Sequence, residues 1–456
     1  MQLFFDPETV AEIGATDQLM RPGHHLFQNL LTSFGERFYP INPRLSKIGS
    51  KTCYPNILEV PAEIDVAVVF IPAAAVPDAL EQCAKKGVRR VIIESGGFAE
   101  VGGKGRRLTE RCLAIAREAG MRLWGPNCMG LLNVPRKKIL SFMIPMMWQD
   151  RLVTGPVSLV VQSGMLSAGF LIHILSRTPF GLAKVCSIGN KVDVDEVDLL
   201  EYLVQDPDTG VIAMYLESLS KGRRFFELAR AAKKSLVVLK AGRSAYGALA
   251  ARSHTAALAQ DDRVLDAAFR QAGVIRVHDL FEMMDVARSL AVAAGTRTPR
   301  SRVAVLTFSG GAGVVCGDGL FDLGLELAEL EEATLAKIKT VFPDWMEASN
   351  PVDLYPAVEK SGPTEPYRLA LEAVMADPGV DAVFVHLFAP PIKMPLFDYE
   401  QMAALARRHH KPIVAWVMGH GDTAQDIARE LERRGIPVLD EIRKGLRVLA
   451  ALTARR

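Results

Sequence analysis

The sequence is short of the residues that staple small domains, cross membranes or bind by bulk charge. Its six cysteines (Cys53, Cys83, Cys112, Cys128, Cys186 and Cys316) have no CxxC spacing, which argues against a disulfide framework or zinc and for buried reduced thiols. Net charge is nearly absent: 54 Lys and Arg against 52 Asp and Glu leave +2, so no nucleic-acid footprint is expected. The opening MQLFFDPETVAEIG puts acidic residues where a signal peptide needs a positive flank, so no export signal and a cytoplasmic location are expected. Residues 152–176 lack Asp, Glu, Lys and Arg, but Gln162, Ser163, Gly164, Ser167 and Gly169 interrupt them. That pattern predicts a strand turning into a helix, not a membrane span.

Familiar nucleotide fingerprints are missing as well. The opening strand runs into Ile13-Gly14-Ala15-Thr16-Asp17 rather than GxGxxG, which disfavours a nicotinamide dehydrogenase. No GxxxxGK[ST] loop occurs, so ATP is not held in the P-loop manner. The pairs His24-His25 and His409-His410 fit no metal-ligand spacing.

What is present is a long α/β chain. Its 456 residues correspond to roughly three domains, and short apolar runs alternate with amphipathic helical patterns throughout, the signature of doubly wound parallel sheets. In the first part strands are predicted at 36–41, 64–71, 88–93 and 121–124, with helices at 76–86 and 107–118 ending at Gly87 and Gly120. A second set follows at 157–161, 182–187, 210–216, 236–239 and 274–277. The polar run 295–301 reads as a linker, giving three consecutive domains at 1–150, 151–298 and 299–456.

The second and third domains read as copies of one design. VSLVVQSG from Val157 matches VAVLTFSG from Val303, and DPDTGVIAMYLE from Asp206 matches DPGVDAVFVHLF from Asp377. At the eleventh residue after each Asp the copies differ, with Glu217 in one and Phe388 in the other. This difference assigns the chemistry to the second domain.

Small or polar residues stand at successive strand ends of the first domain: Thr16, Asn42 with Arg44, Pro72 with Ala73, Glu94 with Ser95, and Asn127 with Cys128. Turn chemistry accounts for any one of them; their coincidence points to a ligand crevice. In the second domain, Gln162-Ser163-Gly164 puts a Ser-Gly turn at a helix start, readable as a plain N-cap or as an anion site. Ser187-Ile188-Gly189-Asn190 ends the next strand in the same way. Glu217 ends an apolar strand, where a carboxylate is costly unless it is paired. Arg252-Ser253-His254-Thr255-Ala256-Ala257 presents one imidazole among small residues. A loop histidine is commonly a surface residue. A neutral imidazole can also attack phosphorus, provided its second ring nitrogen is held by an acceptor such as Glu217.

Taken in order, Gly125-Pro126-Asn127-Cys128-Met129-Gly130, Gln162-Ser163-Gly164, Ser187-Ile188-Gly189-Asn190-Lys191 with Asp193 and Asp195, Lys240 to Ser244, Ser253-His254-Thr255 and Asn350-Pro351-Val352-Asp353-Leu354 resemble the α subunits of NDP-forming acyl-CoA synthetases. This is the ADP-forming acetate–CoA ligase group, related to the succinyl-CoA synthetase α subunit, and the resemblance covers essentially the whole chain. It implies a Rossmann-like CoA-binding domain followed by two flavodoxin-like, succinyl-CoA-synthetase-type domains.

The implied reaction interconverts acyl-CoA, phosphate and ADP with carboxylic acid, CoA and ATP, through an acyl phosphate and a phosphohistidine. By the resemblance His254 is the phosphorylated residue and Glu217 orients it; Ser163, Gly164, Gly189 and Asn190 receive phosphate. Gly14, Thr16, Asp17, Asn42, Arg44, Ile71, Pro72, Ala73, Glu94 and Ser95 contact CoA, with Asn127 and Cys128 near its thiol. ATP or ADP with Mg2+ belongs to a separate ATP-grasp β subunit, in an α2β2 or similar assembly, and 248–260 is the segment expected to swing between sites. The sequence departs from the family pattern at Glu12, at 20–25, at Ser95-Gly96-Gly97, and at Ala256 and Gln260, where glycine is usual. The alternative is a non-catalytic CoA or acyl-CoA binding regulatory subunit. Retention of both Glu217 and His254 favours the enzyme.

Overall fold

Alternating β-branched runs and amphipathic segments fold into three mainly parallel sheets in the computed structural model, which describes residues 1–176, 180–247, 249, 261–293, 295–392 and 397–454, with the side chains of 165 and 166 excepted. The described chain forms two compact units, Met1–His278 and Asp279–Arg456.

The first unit holds two sheets. In the first, the parallel strands run in the order Phe38–Ile41, Val10–Ile13, Val66–Val69, Arg90–Ile93 and Arg122–Trp124. The strand expected from residue 36 begins only at Phe38, because Gly35–Arg37 turns as a 3-10 helix. Helix Val76–Lys86 shows how sequence sets its own limits. Pro77 and Asp78 suit the first turn, Lys85 and Lys86 the last, and Gly87 closes it at φ +88°. Its Val76, Leu80 and Cys83 pack on one face of the sheet, while Leu26, Phe27 and Leu30 of helix Pro22–Phe34 pack on the other.

In the second sheet the parallel order is Ile275–Val277, Ser235–Lys240, Val211–Leu216, Thr154–Val161 and Leu182–Ser187. The hairpin Leu131–Asn133 and Lys138–Leu140 extends its edge antiparallel, ahead of the first parallel strand in sequence. The uncharged stretch 152–176 is the strand Thr154–Val161 turning into helix Gly164–Ser176, as its interrupted polarity predicts. Among the described residues no helix is long and apolar enough to cross a membrane. One apolar cluster, containing Trp124, Cys128, Leu131, Val160, Cys186 and Ile188, runs from the first sheet into the second.

The second unit repeats the second sheet's order with Glu326–Leu327, Arg302–Thr307, Ala382–Ala389, Ile413–Gly419 and Val438–Leu439, all parallel. Ser309 caps helix Gly310–Asp322 by accepting from the N–H of Ala312. All six cysteines are free thiols and buried.

Candidate active site

At the carboxyl ends of the first sheet the strand order reverses around Val10–Ile13, and a cleft of about 1020 Å³ opens there. Its walls include Gly14, Thr16 and Asp17 from the first strand end, Asn42 and Arg44 from the second, Ile71 and Pro72 from the third, and Ser95 from the fourth. Gly14 is required where it stands: its φ is +110° and a Cβ would lie 2.3 Å from the carbonyl oxygen of Phe70. Asn42 ties two loops together, its Nδ2 donating to Ala15 O at 2.7 Å and its Oδ1 accepting from the N–H of Arg44 at 2.8 Å. The Ser95 hydroxyl accepts from the N–H of Ile71 at 3.1 Å. Arg21, just before helix Pro22–Phe34, joins Arg44 in the wall. A cleft of this size with two guanidiniums and a helix start suits a large anionic ligand such as CoA.

Four residues expected at CoA lie off this wall. Ala73 follows Pro72 and packs near Gly97. Asn127 is exposed in the left-handed region at φ +57°. Cys128 and Glu94 are buried at 3% exposure. The Cys128 thiol faces Ile93 O at 3.4 Å, and burial pushes its pKa up. Neither Glu94 nor Glu12 has a hydrogen-bond partner for its carboxylate among the described residues. Burial raises both pKa values well above the usual carboxylate range, and for Glu12 the nearby Glu94 charge adds to the effect.

The second sheet presents its own strand ends. Gln162 Oε1 accepts from the N–H groups of Glu217 at 2.8 Å and Ser218 at 3.1 Å, fixing the turn that carries Glu217 beside the Ser163-Gly164 helix start. The Tyr215 hydroxyl donates to Glu217 Oε1 at 3.3 Å, and burial followed by the Glu217 charge pushes the phenol up to about 12. Gly189 sits at φ +53°, where a Cβ would meet Pro126 O at 2.2 Å. Asn190 donates from Nδ2 to Glu100 Oε2 at 2.6 Å, and the other Glu100 oxygen receives the N–H groups of Gly97 and Phe98. Those hydrogen bonds outweigh burial and lower the Glu100 pKa. His254, with Ser253, Thr255, Ala256 and Gln260, lies outside the described residues.

The segment 125–130 joins the two sets of strand ends. The N–H of Asn127 donates to Ser95 O at 2.9 Å, beside the cleft. The N–H of Met129 donates to Ser187 Oγ at 3.0 Å, and Asn190 N–H to Pro126 O at 2.9 Å. A Cβ on Gly164 would stand 3.6 Å from Met129 Cγ. Asn127 and Cys128 therefore lie between the cleft and the Ser163–Glu217 region. Glu100 was missed in the sequence; a lone carboxylate within Gly96-Gly97-Phe98-Ala99-Glu100-Val101-Gly102-Gly103 was its only signal.

A cleft-bearing sheet followed by a flavodoxin-like sheet is the domain pair of CoA-dependent ligases, as two family matches show. Residues 8–133 match the family described as CoA binding domain, and 154–290 match the succinyl-CoA ligase like flavodoxin domain. The chain is 37% identical over 452 residues to acetate–CoA ligase [ADP-forming] II of Archaeoglobus fulgidus, covering 98% of this chain but 66% of that protein. It is 33% identical over 448 residues to the α subunit of acetate–CoA ligase [ADP-forming] II of Pyrococcus furiosus, covering 96% and 94% of the two chains. The dinucleotide-forming acetyl-coenzyme A synthetase 1 of Ca. Korarchaeum cryptofilum, solved with phosphate and ADP, superposes with a TM-score of 0.85 at 29% identity, covering 99% of this chain and 96% of that one. The chain belongs to the family of ADP-forming acetate–CoA ligase α subunits.

Proposed function

We propose that the chain is the α subunit of an ADP-forming acyl-CoA synthetase, interconverting acyl-CoA, phosphate and ADP with carboxylic acid, CoA and ATP. The observation that carries this reading is the 125–130 segment, which spans from the CoA-sized cleft at Ser95 to the Gln162–Glu217 bracket. CoA lies in the cleft with its anionic groups toward Arg21 and Arg44, and its thiol end reaches Asn127. Phosphate attacks the acyl carbonyl there and the thiolate leaves, giving an acyl phosphate. The phosphoryl group then passes to His254, releasing the acid, and the imidazole is held in the required tautomer by Glu217. Helix and turn N–H groups at Ser163, Gly164 and Gly189 stabilise the phosphoryl oxygens; Asn190, whose own N–H is taken by Pro126 O and whose amide is held by Glu100, shapes the turn beside them.

In this reading the modules are 1–150 for CoA, 151–298 for His254 and 299–456 as a related ligase module. A separate ATP-grasp β subunit supplies ADP or ATP with Mg2+; that the Pyrococcus furiosus relative is itself a subunit alpha supports the existence of a partner subunit. The test is reconstitution: this chain mixed with an ATP-grasp β subunit forms ATP from acetyl-CoA, ADP and phosphate, and neither protein does so alone. CoA binding without turnover in the mixture would favour a regulatory subunit.

A further inference from the structure

The segment 187–196 reaches in two directions. Toward the first sheet, Asp193 accepts from Arg122 Nε at 3.0 Å and from the N–H of Leu123 at 2.7 Å, while the N–H of Val192 donates to Gly125 O at 3.1 Å. Toward the carboxylate-bearing turn, Lys191 Nζ donates to Glu196 Oε2 at 2.6 Å and to Ser218 O at 2.7 Å. The second Glu196 oxygen accepts from the Ser220 N–H at 2.9 Å and from its hydroxyl at 3.2 Å.

Both charged side chains are buried, with 6% of Lys191 and none of Glu196 exposed. Lys191 holds a left-handed backbone, φ +43°, that a non-glycine residue seldom adopts. A buried ion pair is weak evidence of stabilisation, because desolvation offsets its attraction. What this pair does achieve is geometric. It holds the residues directly after Glu217 through Ser218 O and Ser220, while Gln162 holds the N–H groups of Glu217 and Ser218.

We propose that Lys191 and Glu196 are positioning residues that fix the Glu217 turn relative to the 125–130 segment, so that the carboxylate orients His254 where the acyl phosphate forms. This rests on the phosphoryl-transfer reading of the site. The step served is transfer of the phosphoryl group from acyl phosphate to the imidazole, breaking its bond to the acyl oxygen and forming a P–N bond, with carboxylate released.

The test uses the full chain with acetyl-CoA and [32P]phosphate, scoring acid-labile, base-stable label. The double variant Lys191→Met/Glu196→Gln removes both charges at similar volume and leaves no orphan charge buried. It is expected to melt cooperatively, to label about tenfold more slowly and to leave the KM for acetyl-CoA nearly unchanged. Hydrogen exchange is expected to quicken at Ser218 to Ser220 but not along Val211–Leu216. A second neutral pair, Lys191→Gln/Glu196→Gln, keeps an amide donor for Ser218 O and an amide acceptor for Ser220 with no charge left buried, so it should lose less and serves if the first double variant does not fold. Wild-type labelling rates in a folded variant, or unchanged exchange at Ser218 to Ser220, overturn the proposal. Absence of label on the wild-type chain would instead reject phosphoryl transfer, while the exchange result still decides the positioning claim.

Discussion

The side-chain carbonyl of Gln162 receives the backbone N–H of Glu217 at 2.8 Å, so the strand that starts the Ser163 turn and the strand that ends in the carboxylate are locked together at their tips. At the corresponding positions of the third sheet Phe308 and Phe388 stack, with centroids 5.2 Å apart and planes 9° from parallel. One copy of the design therefore carries a polar bracket and the other an aromatic one.

Replacing Gln162 tests this bracket. Gln162→Leu leaves the N–H groups of Glu217 and Ser218 without their acceptor, at about 1–3 kcal/mol for each group left unsatisfied in the interior. Urea unfolding of the whole chain should show that loss in the transition of its first unit, and phosphate labelling should slow with it. Gln162→Glu still accepts those N–H groups but buries a second carboxylate near Glu217, so its loss should be smallest at low pH, where the new carboxyl is protonated, and grow as pH rises.

The cleft makes an electrostatic prediction. Arg44→Gln and Arg21→Gln should each weaken CoA binding about tenfold, near 1.4 kcal/mol. The deficit should shrink as salt rises, since exposed charges are screened over about 10 Å at 0.1 M. Titration calorimetry at two ionic strengths checks both statements.

Buried Glu12 and Glu94 set a pH dependence. Their pKa values are raised in the folded state by burial, and for Glu12 also by Glu94. The wild type is therefore unpenalised below the unfolded carboxyl pKa, about 4.3, and loses stability as pH climbs from there through the folded values. Glu12→Gln should accordingly match the wild type near pH 4 and gain on it steadily toward pH 8. Melting temperatures measured across that range read the difference. A variant whose advantage shrinks as pH rises would contradict the assignment.

The strand ends were legible in the sequence because parallel strands buried on both faces read as continuous apolar runs, and the residues that break those runs are the ones the cleft uses. Thr16, Asn42, Arg44 and Ser95 could be found in that way. Side-chain direction could not. Glu94 stands next to Ser95, just past strand Arg90–Ile93, yet its carboxylate is buried away from the cleft wall that Ser95 joins. The hairpin Leu131–Leu140 joins the second sheet through edge pairing with Leu182–Ser187, a long-range choice with no local signal. Glu100, Lys191 and Glu196 act through contacts between strand-end loops, and periodicity says nothing about those.

Gly189 offers a steric test. Its φ is +53°, and a Cβ there would stand 2.2 Å from Pro126 O, which leaves no room for a side chain. Gly189→Ala should destabilise the chain by more than about 1 kcal/mol and displace the 125–130 segment. Thermal melts should show the first effect, and a raised KM for acetyl-CoA the second.

One covalent bond, between phosphorus and the His254 imidazole, decides the mechanism. Tryptic mapping of the chain after incubation with acetyl-CoA and [32P]phosphate should place acid-labile, base-stable label on the peptide holding His254. That label should be lost in His254→Ala and strongly reduced in Glu217→Gln. Label that persists in His254→Ala, or a wild-type chain that releases CoA yet carries no phosphate, would contradict it.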